Sequence, residues 1–280
     1  MPLIEFQDFS FKYYGADFLA LKKISFSVEE GEYLVITGPS GCGKTTLCRT
    51  INGLVPQFHR GYIAGNVIVD GKNTRDNSVA QLAQTAGLVF QQPENQLVTL
   101  NVEKEIAFGP ENLGIDPIEV RRRVEELISL LELEHLREKH PHEMSGGEQQ
   151  RVAIAATLAL KPKILVADEP TSNLDPKSAE LILDIIASLN KRDMTVVLVE
   201  HRLDLVSKDA SRILLMNDGR IVADGPPREI LTLDLCQEIG VGVPKATMVY
   251  KRLLQHGLHL KQVPLTGEDL ALLVKEAARS

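Results

Sequence analysis

Gly38-Pro39-Ser40-Gly41-Cys42-Gly43-Lys44-Thr45-Thr46 follows the short β-rich run Leu34 to Thr37 and leads into a helical stretch, read as Leu47 to Leu54. This is the G-x-x-x-x-G-K-[ST] pattern in a strand–loop–helix context. Its glycines let successive backbone N–H groups converge on phosphate oxygens, and the helix behind the loop adds the positive end of its dipole. At such a loop Lys44 reaches the β- and γ-phosphates of a nucleotide, and the Thr45 hydroxyl is a ligand for Mg²⁺.

Working outward, Gly87 to Phe90, Ile164 to Ala167 and Val196 to Val199 are continuous apolar runs. Strands covered on both faces have this character, as in a parallel sheet. Helical patterns lie between them, which predicts an α/β sheet. Before the loop, residues 3–36 alternate in short apolar runs around Gly15 and Gly31 and read as antiparallel strands. From about 93 to 160 the pattern turns helical. Asp116-Pro117 reads as cap and first residue, Glu119 as the third after the cap, and Val120, Val124, Leu127, Ile128 and Leu131 recur at helical spacing, with Arg121 to Arg123 on or beside the wet face. Ile213 to Met216 and Ile221 to Ala223 flank Asn217-Asp218-Gly219, a hairpin signal. Gly225-Pro226-Pro227 breaks the pattern, and three short helices are expected beyond it, around 228–239, 245–256 and 267–278; Gly257 ends the second and Thr266 with Asp269 opens the third.

Ile164-Leu165-Val166-Ala167-Asp168-Glu169 is an apolar strand that ends in two carboxylates. Asp168 is placed to hold Mg²⁺, directly or through water, and Glu169, one residue on, to polarise an attacking water. Ser145-Gly146-Gly147-Glu148 is a capping box, and its two glycines also bare a helix N-terminus to phosphate oxygens.

In this order the elements resemble the ABC ATPases. Ser145-Gly146-Gly147 is similar to their signature, with Met144 in place of the usual Leu and Glu148 in place of the usual Gln. A carboxylate ~4 Å from a phosphate costs on the order of 4 kcal/mol at an effective dielectric of 20, so Glu148 is expected to turn toward the Ser145 backbone or a ribose hydroxyl. The resemblance implies further roles: Gln91 as the Q-loop sensor of Mg²⁺ and water, Asp175 of Ser172-Asn173-Leu174-Asp175 near a dimer interface, His201 as the switch that meets the γ-phosphate, and Tyr13, about 31 residues before Lys44, as the adenine-stacking aromatic. Singly each has a plain alternative, since a histidine at a strand end is commonly structural and Tyr13 also reads as a strand residue.

The implied fold is α/β: a P-loop NTPase (RecA-like) core with an N-terminal antiparallel β subdomain, a helical subdomain at about 93–160 within an ATPase domain 1–225, and a small C-terminal helical domain 226–280. The implied activity is hydrolysis of ATP with Mg²⁺, by two copies paired head-to-tail or by one copy and a related chain. Gln91 to Leu97, Glu105 to Asn112 and the tail from Ile239 resemble the energy-coupling-factor and cobalt/nickel-type importer ATPases. That likeness implies a transmembrane subunit docking near 91–113, a substrate-binding membrane subunit, a dimerising tail and a place on the cytoplasmic face of the membrane.

Composition agrees with these expectations. The formal net charge is −7, which disfavours nucleic acid as the main partner. Cys42, Cys48 and Cys236 form no even set and suit a reduced compartment, and no secretory signal is expected. No run approaches the ~18–20 apolar residues of a membrane span, so any crossing falls to another chain. His135, His140 and His142 are interrupted by Pro141 and suggest no metal site. A soluble ABC ATPase that switches a non-membrane partner stays open as a second reading, and a regulator that hydrolyses nothing as a third, against which Glu169 and His201 argue.

Overall fold

The computed structural model describes residues 2–278. Two sheets share one chain. The first is antiparallel, in the order β2-β1-β4-β5, formed by β1 (Ile4–Tyr13), β2 (Leu21–Val28), β4 (Gly61–Val69) and β5 (Lys72–Asn73). The second has the order β10-β9-β3-β8-β7-β6, formed by β3 (Tyr33–Thr37), β6 (Ala86–Val89), β7 (Ile164–Asp168), β8 (Thr195–Val199), β9 (Arg212–Asn217) and β10 (Arg220–Gly225). Its strands β9, β3, β8, β7 and β6 are mutually parallel, and β10 closes the edge as the antiparallel arm of the hairpin.

The continuous apolar runs have a direct physical cause. β3, β7 and β8 are buried at every position. Side chains alternate across a strand, so each run feeds two cores at once. Tyr33 and Val35 join the layer made with the helices, whereas Leu34 and Ile36 join the layer made with the antiparallel sheet and α1 (Lys44–Ile51). The phosphate-loop pattern therefore sits between two packed layers.

Helix α1 begins at Lys44, three residues before the expected Leu47, because Gly43 serves as its N-cap in a left-handed conformation (φ 109°). One irregular turn, α2 (Leu54–Gln57), follows. Strand β4 carried no recognised signal: it is half exposed, and Gly65 at φ 75° sits where the register with β1 shifts between Gln7 and Ser10, breaking the alternation. A short α3 (Val79–Ala83) leads into β6.

The helical insert comprises α4 (Val102–Asn112), α5 (Pro117–Leu130) and α6 (Gly146–Leu158). Asp116 caps α5 by accepting from the Ile118 N–H (2.8 Å). Glu119 does not turn back to that cap; it gathers Arg122, Arg123 and Lys161 instead. The arginine run is also less wet than expected: the Arg123 side chain is 13% exposed and donates to the Ala159 carbonyl (2.7 Å).

Helix α7 (Pro176–Asn190) covers the sheet after β7, and the one-turn α8 (Leu203–Val206) follows β8. Beyond β10 come α9 (Pro227–Ile230), α10 (Leu235–Glu238), α11 (Lys245–Gln255) and α12 (Gly267–Ala277), with Gly257 at φ 80° just past the end of α11. Thr266 caps α12 by accepting from the Asp269 N–H (3.1 Å), while the Asp269 carboxylate turns to Arg228 and the Leu265 N–H. Leu231, Cys236, Val241 and Leu265 belong to the same apolar cluster as Val35 and Leu198, so this tail is packed onto the sheet's own core. Among the described residues no helix is long and apolar enough to cross a membrane.

Candidate active site

The C-terminal ends of β3, β6, β7 and β8 bring four chain segments to one place. β3 delivers the loop Gly38–Gly43. Three of its glycines have positive φ, and a Cβ on Gly38 would lie 2.2 Å from the Met216 carbonyl oxygen, so the loop closes only without side chains there. Lys44 is buried, and its Nζ donates to the carbonyls of Gly38 (2.9 Å) and Pro39 (3.1 Å). The ammonium is thereby held over the loop whose N–H groups suit phosphate.

β7 ends at Asp168 and Glu169 follows it, and the two carboxylates lie in different environments. Asp168 is buried, and that desolvation raises its pKa above the ordinary value, against the lowering effect of its hydrogen bond from Thr45 Oγ1 (3.2 Å). Among the described residues Asp168 has no ion-pair partner. A buried carboxylate and a hydroxyl side by side are the hard oxygen donors that Mg²⁺ takes. Beside them opens a cavity of about 400 Å³ lined by Phe58, His59, Phe90 and Gln91.

Glu169 adopts φ 48°, an uncommon conformation for a non-glycine residue. Its carboxylate is the centre of the site. Gln91 Nε2, from the segment after β6, donates to Oε2 (2.9 Å). His201, after β8, places Nε2 3.0 Å from Oε1. Lys44 Nζ lies 3.8 Å from the same oxygen. The His201 hydrogen bond is the main cause that holds the Glu169 pKa below the ordinary carboxylate value, in spite of partial burial. Glu169 is therefore ionised at neutral pH and can accept a proton.

The remaining sequence candidates make other contacts. Thr46 Oγ1 lies 3.0 Å from the Tyr13 hydroxyl, and the Tyr13 ring meets His59 edge-on with centroids 6.3 Å apart. Asp175 caps α7, accepting from the Lys177 and Ser178 N–H groups and from Ser178 Oγ. Ser145 caps α6 in a complete capping box: Glu148 N–H donates to Ser145 Oγ (3.4 Å), and Glu148 Oε2 accepts from Ser145 N–H (2.7 Å) and Oγ (2.9 Å). The Glu148 carboxylate thus turns to the Ser145 backbone, one of the two orientations expected of it. A Cβ on Gly147 would lie 2.9 Å from Ser178 Cβ, so glycine there lets the start of α6 lie against α7. No hydrogen bond or ion pair among the described residues links Ser145–Gly147 to the Lys44–Glu169 cluster.

One residue of this region escaped sequence reasoning. Glu200 is only 3% exposed and accepts from the His201 and Arg202 N–H groups and from Thr171 Oγ1. The available signal was an acid that ends the apolar run of β8 immediately before His201.

The family model described as ABC transporter matches residues 21–172. A putative ABC transporter ATP-binding protein of Pyrococcus abyssi is 42% identical over 278 residues, covering 99% of each chain. The cobalt import ATP-binding protein CbiO of Syntrophus aciditrophicus is 39% identical over 270 residues, covering 96% of this chain and 94% of its own. Among solved structures, cbiO1 of Clostridium perfringens, part of the ABC transporter complex cbiONQ, superposes with TM-score 0.74 at 29% identity over 91% of this chain and 97% of that one. A dimeric ATP-binding cassette in a post-hydrolysis state with ADP and Pi superposes with TM-score 0.70 at 31% identity, covering 80% of this chain and 99% of that one.

Proposed function

The chain belongs to the ABC transporter family as one of its ATP-binding, ATP-hydrolysing subunits, and on that premise we propose that it is the motor of an energy-coupling-factor or cobalt/nickel-type importer for a vitamin or transition-metal ion. The observation that carries the reading of the site is the Glu169 carboxylate held at once by Gln91, His201 and Lys44 beside the Thr45–Asp168 pair.

In this reading ATP seats its phosphates on the Gly38–Thr46 loop, and Lys44 exchanges the Gly38 and Pro39 carbonyls for phosphate oxygens. Thr45, Asp168 and Gln91 would hold Mg²⁺, which when bound would offset negative charge on the phosphates. Glu169 orients a water toward the γ-phosphorus and takes its proton. The new P–O bond forms as the bond to the bridging oxygen breaks, releasing ADP and phosphate. Gln91 and His201 fix the carboxylate, and His201 also meets the γ-phosphate. Tyr13 offers its ring to adenine.

Ser145–Gly147 belongs in this reading to the site of a second ATPase chain, identical or related, and Asp175 lies near the interface between them. The tail 226–280 is a small helical domain that helps hold that pair, and Met248, Leu272 and Val274 leave apolar surface on it. Val98, Leu100 and Phe108, exposed near α4, suit the groove for a transmembrane coupling subunit, which works with a substrate-binding membrane subunit and holds this chain on the cytoplasmic face. Glu169→Gln tests the catalytic assignment. We expect kcat to fall by ~10²–10⁴-fold while ATP still binds; turnover within threefold of the wild type overturns it.

A further inference from the structure

We infer that Glu200 is a positioning residue for ATP hydrolysis, setting the His201 loop against the Thr171–Leu174 segment so that His201 can hold Glu169. The inference rests on the assignment of His201 and Glu169 made above.

A carboxylate at 3% exposure is costly unless its oxygens are occupied. Those of Glu200 are occupied by groups from two different segments. Oε1 accepts from the backbone N–H of His201 (2.8 Å) and of Arg202 (3.0 Å), and Oε2 accepts from Thr171 Oγ1 (2.6 Å). The two N–H groups belong to the turn that carries the His201 ring, and Thr171 lies two residues after Glu169. One buried side chain therefore spans the gap between the two residues whose side chains meet at 3.0 Å.

The same turn is tied a second time. Arg202 Nη2 donates to the Leu174 carbonyl (3.0 Å), and Leu174 Cδ2 lies 3.3 Å from where a Cβ on Gly146 would sit. The clasp thus runs from the catalytic carboxylate, through His201 and Glu200, to the segment that packs on the start of α6. A catalytic group must be held within about half an ångström of its working place, which takes supporting hydrogen bonds of this kind. Glu200 meets neither the phosphate loop nor the Thr45–Asp168 pair in any hydrogen bond among the described residues, so its removal should affect the chemical step and spare binding.

The test is steady-state hydrolysis and equilibrium ATP binding by the full chain carrying Glu200→Ala, Glu200→Gln, Thr171→Val or, as a control, Glu169→Gln. We expect Glu200→Ala to lower kcat at least fivefold with ATP affinity within twofold. Glu200→Gln, whose amide oxygen can still accept from both N–H groups, should recover to within threefold of the wild type. Thr171→Val removes only the hydroxyl anchor and should lower kcat at least threefold at unchanged affinity; it serves alone if Glu200→Ala does not fold. A kcat for Glu200→Ala less than fivefold below the wild type, a parallel loss of ATP affinity, or an unchanged kcat in Thr171→Val overturns the inference. Should Glu169→Gln hydrolyse ATP at the wild-type rate, the parent assignment fails; should it be inactive while Glu200→Ala works normally, only this inference fails.

Discussion

The capping box offers the Glu148 carboxylate the Ser145 N–H and hydroxyl, and it turns to them. The Ser145 N–H is the first cause that lowers its pKa from the ordinary 4.5. A depressed folded pKa gives stability that is present above 4.5 and lost as pH falls through the lower folded value. Glu148→Gln keeps an acceptor but not the charge at the N-terminus of α6. We expect it to be less stable than the wild type by about 0.3–1 kcal/mol at neutral pH. Urea titrations of both proteins should show that gap shrinking by about pH 4, and an equal gap at both pH values would contradict the cap's charge. Lys44 and Glu169 were read from their own motifs and Gln91 and His201 from the family resemblance, and the structure brings the four together. Glu200 was not legible, because a lone acid at a strand end carries no spacing signal; only the fold reveals that it is buried and bridges two segments.

At the scale of elements, legibility followed burial. Strands β3, β7 and β8 are buried at every position and read directly as apolar runs. β4 is half exposed and bulged at Gly65, so its pattern matched neither period. The start of α1 was missed because Gly43 caps it through backbone conformation, with no side-chain hydrogen bond to mark the place. Helix α6 links the insert to the rest: Gln96, after β6, donates to the Ala153 carbonyl (3.3 Å) and Thr157 Oγ1 (3.0 Å) and accepts from the Phe90 N–H (3.1 Å). Val152, Ala153, Ile154 and Ala155 are all buried, so α6 is enclosed on more than one side. Ile154→Ala should therefore cost about 2–5 kcal/mol. Chemical denaturation gives that value, and a loss below ~1 kcal/mol would show that the site collapses to fill the space.

For the whole molecule, two packed cores flank the main sheet and one site gathers at its strand ends. The tail shares its apolar cluster with the sheet, while Ser145 to Gly147, on the start of α6, make no hydrogen bond to the Lys44–Glu169 cluster. Within the chain, Glu169, Lys44 and the Gly38–Gly43 loop lie together, whereas Ser145 is bonded to Glu148 and the two glycines after it face Leu174 and Ser178. The head-to-tail pairing is an expectation from the family likeness; spacing alone does not suggest it, because it says nothing about a second chain. Analytical ultracentrifugation of Glu169→Gln with MgATP, alone and combined with Ser145→Arg, tests the claim most directly. We expect a two-chain species on adding ATP to Glu169→Gln and its loss when Ser145 is replaced. A single-chain species with ATP bound in both cases, alongside wild-type chains that hydrolyse ATP as monomers, would contradict it.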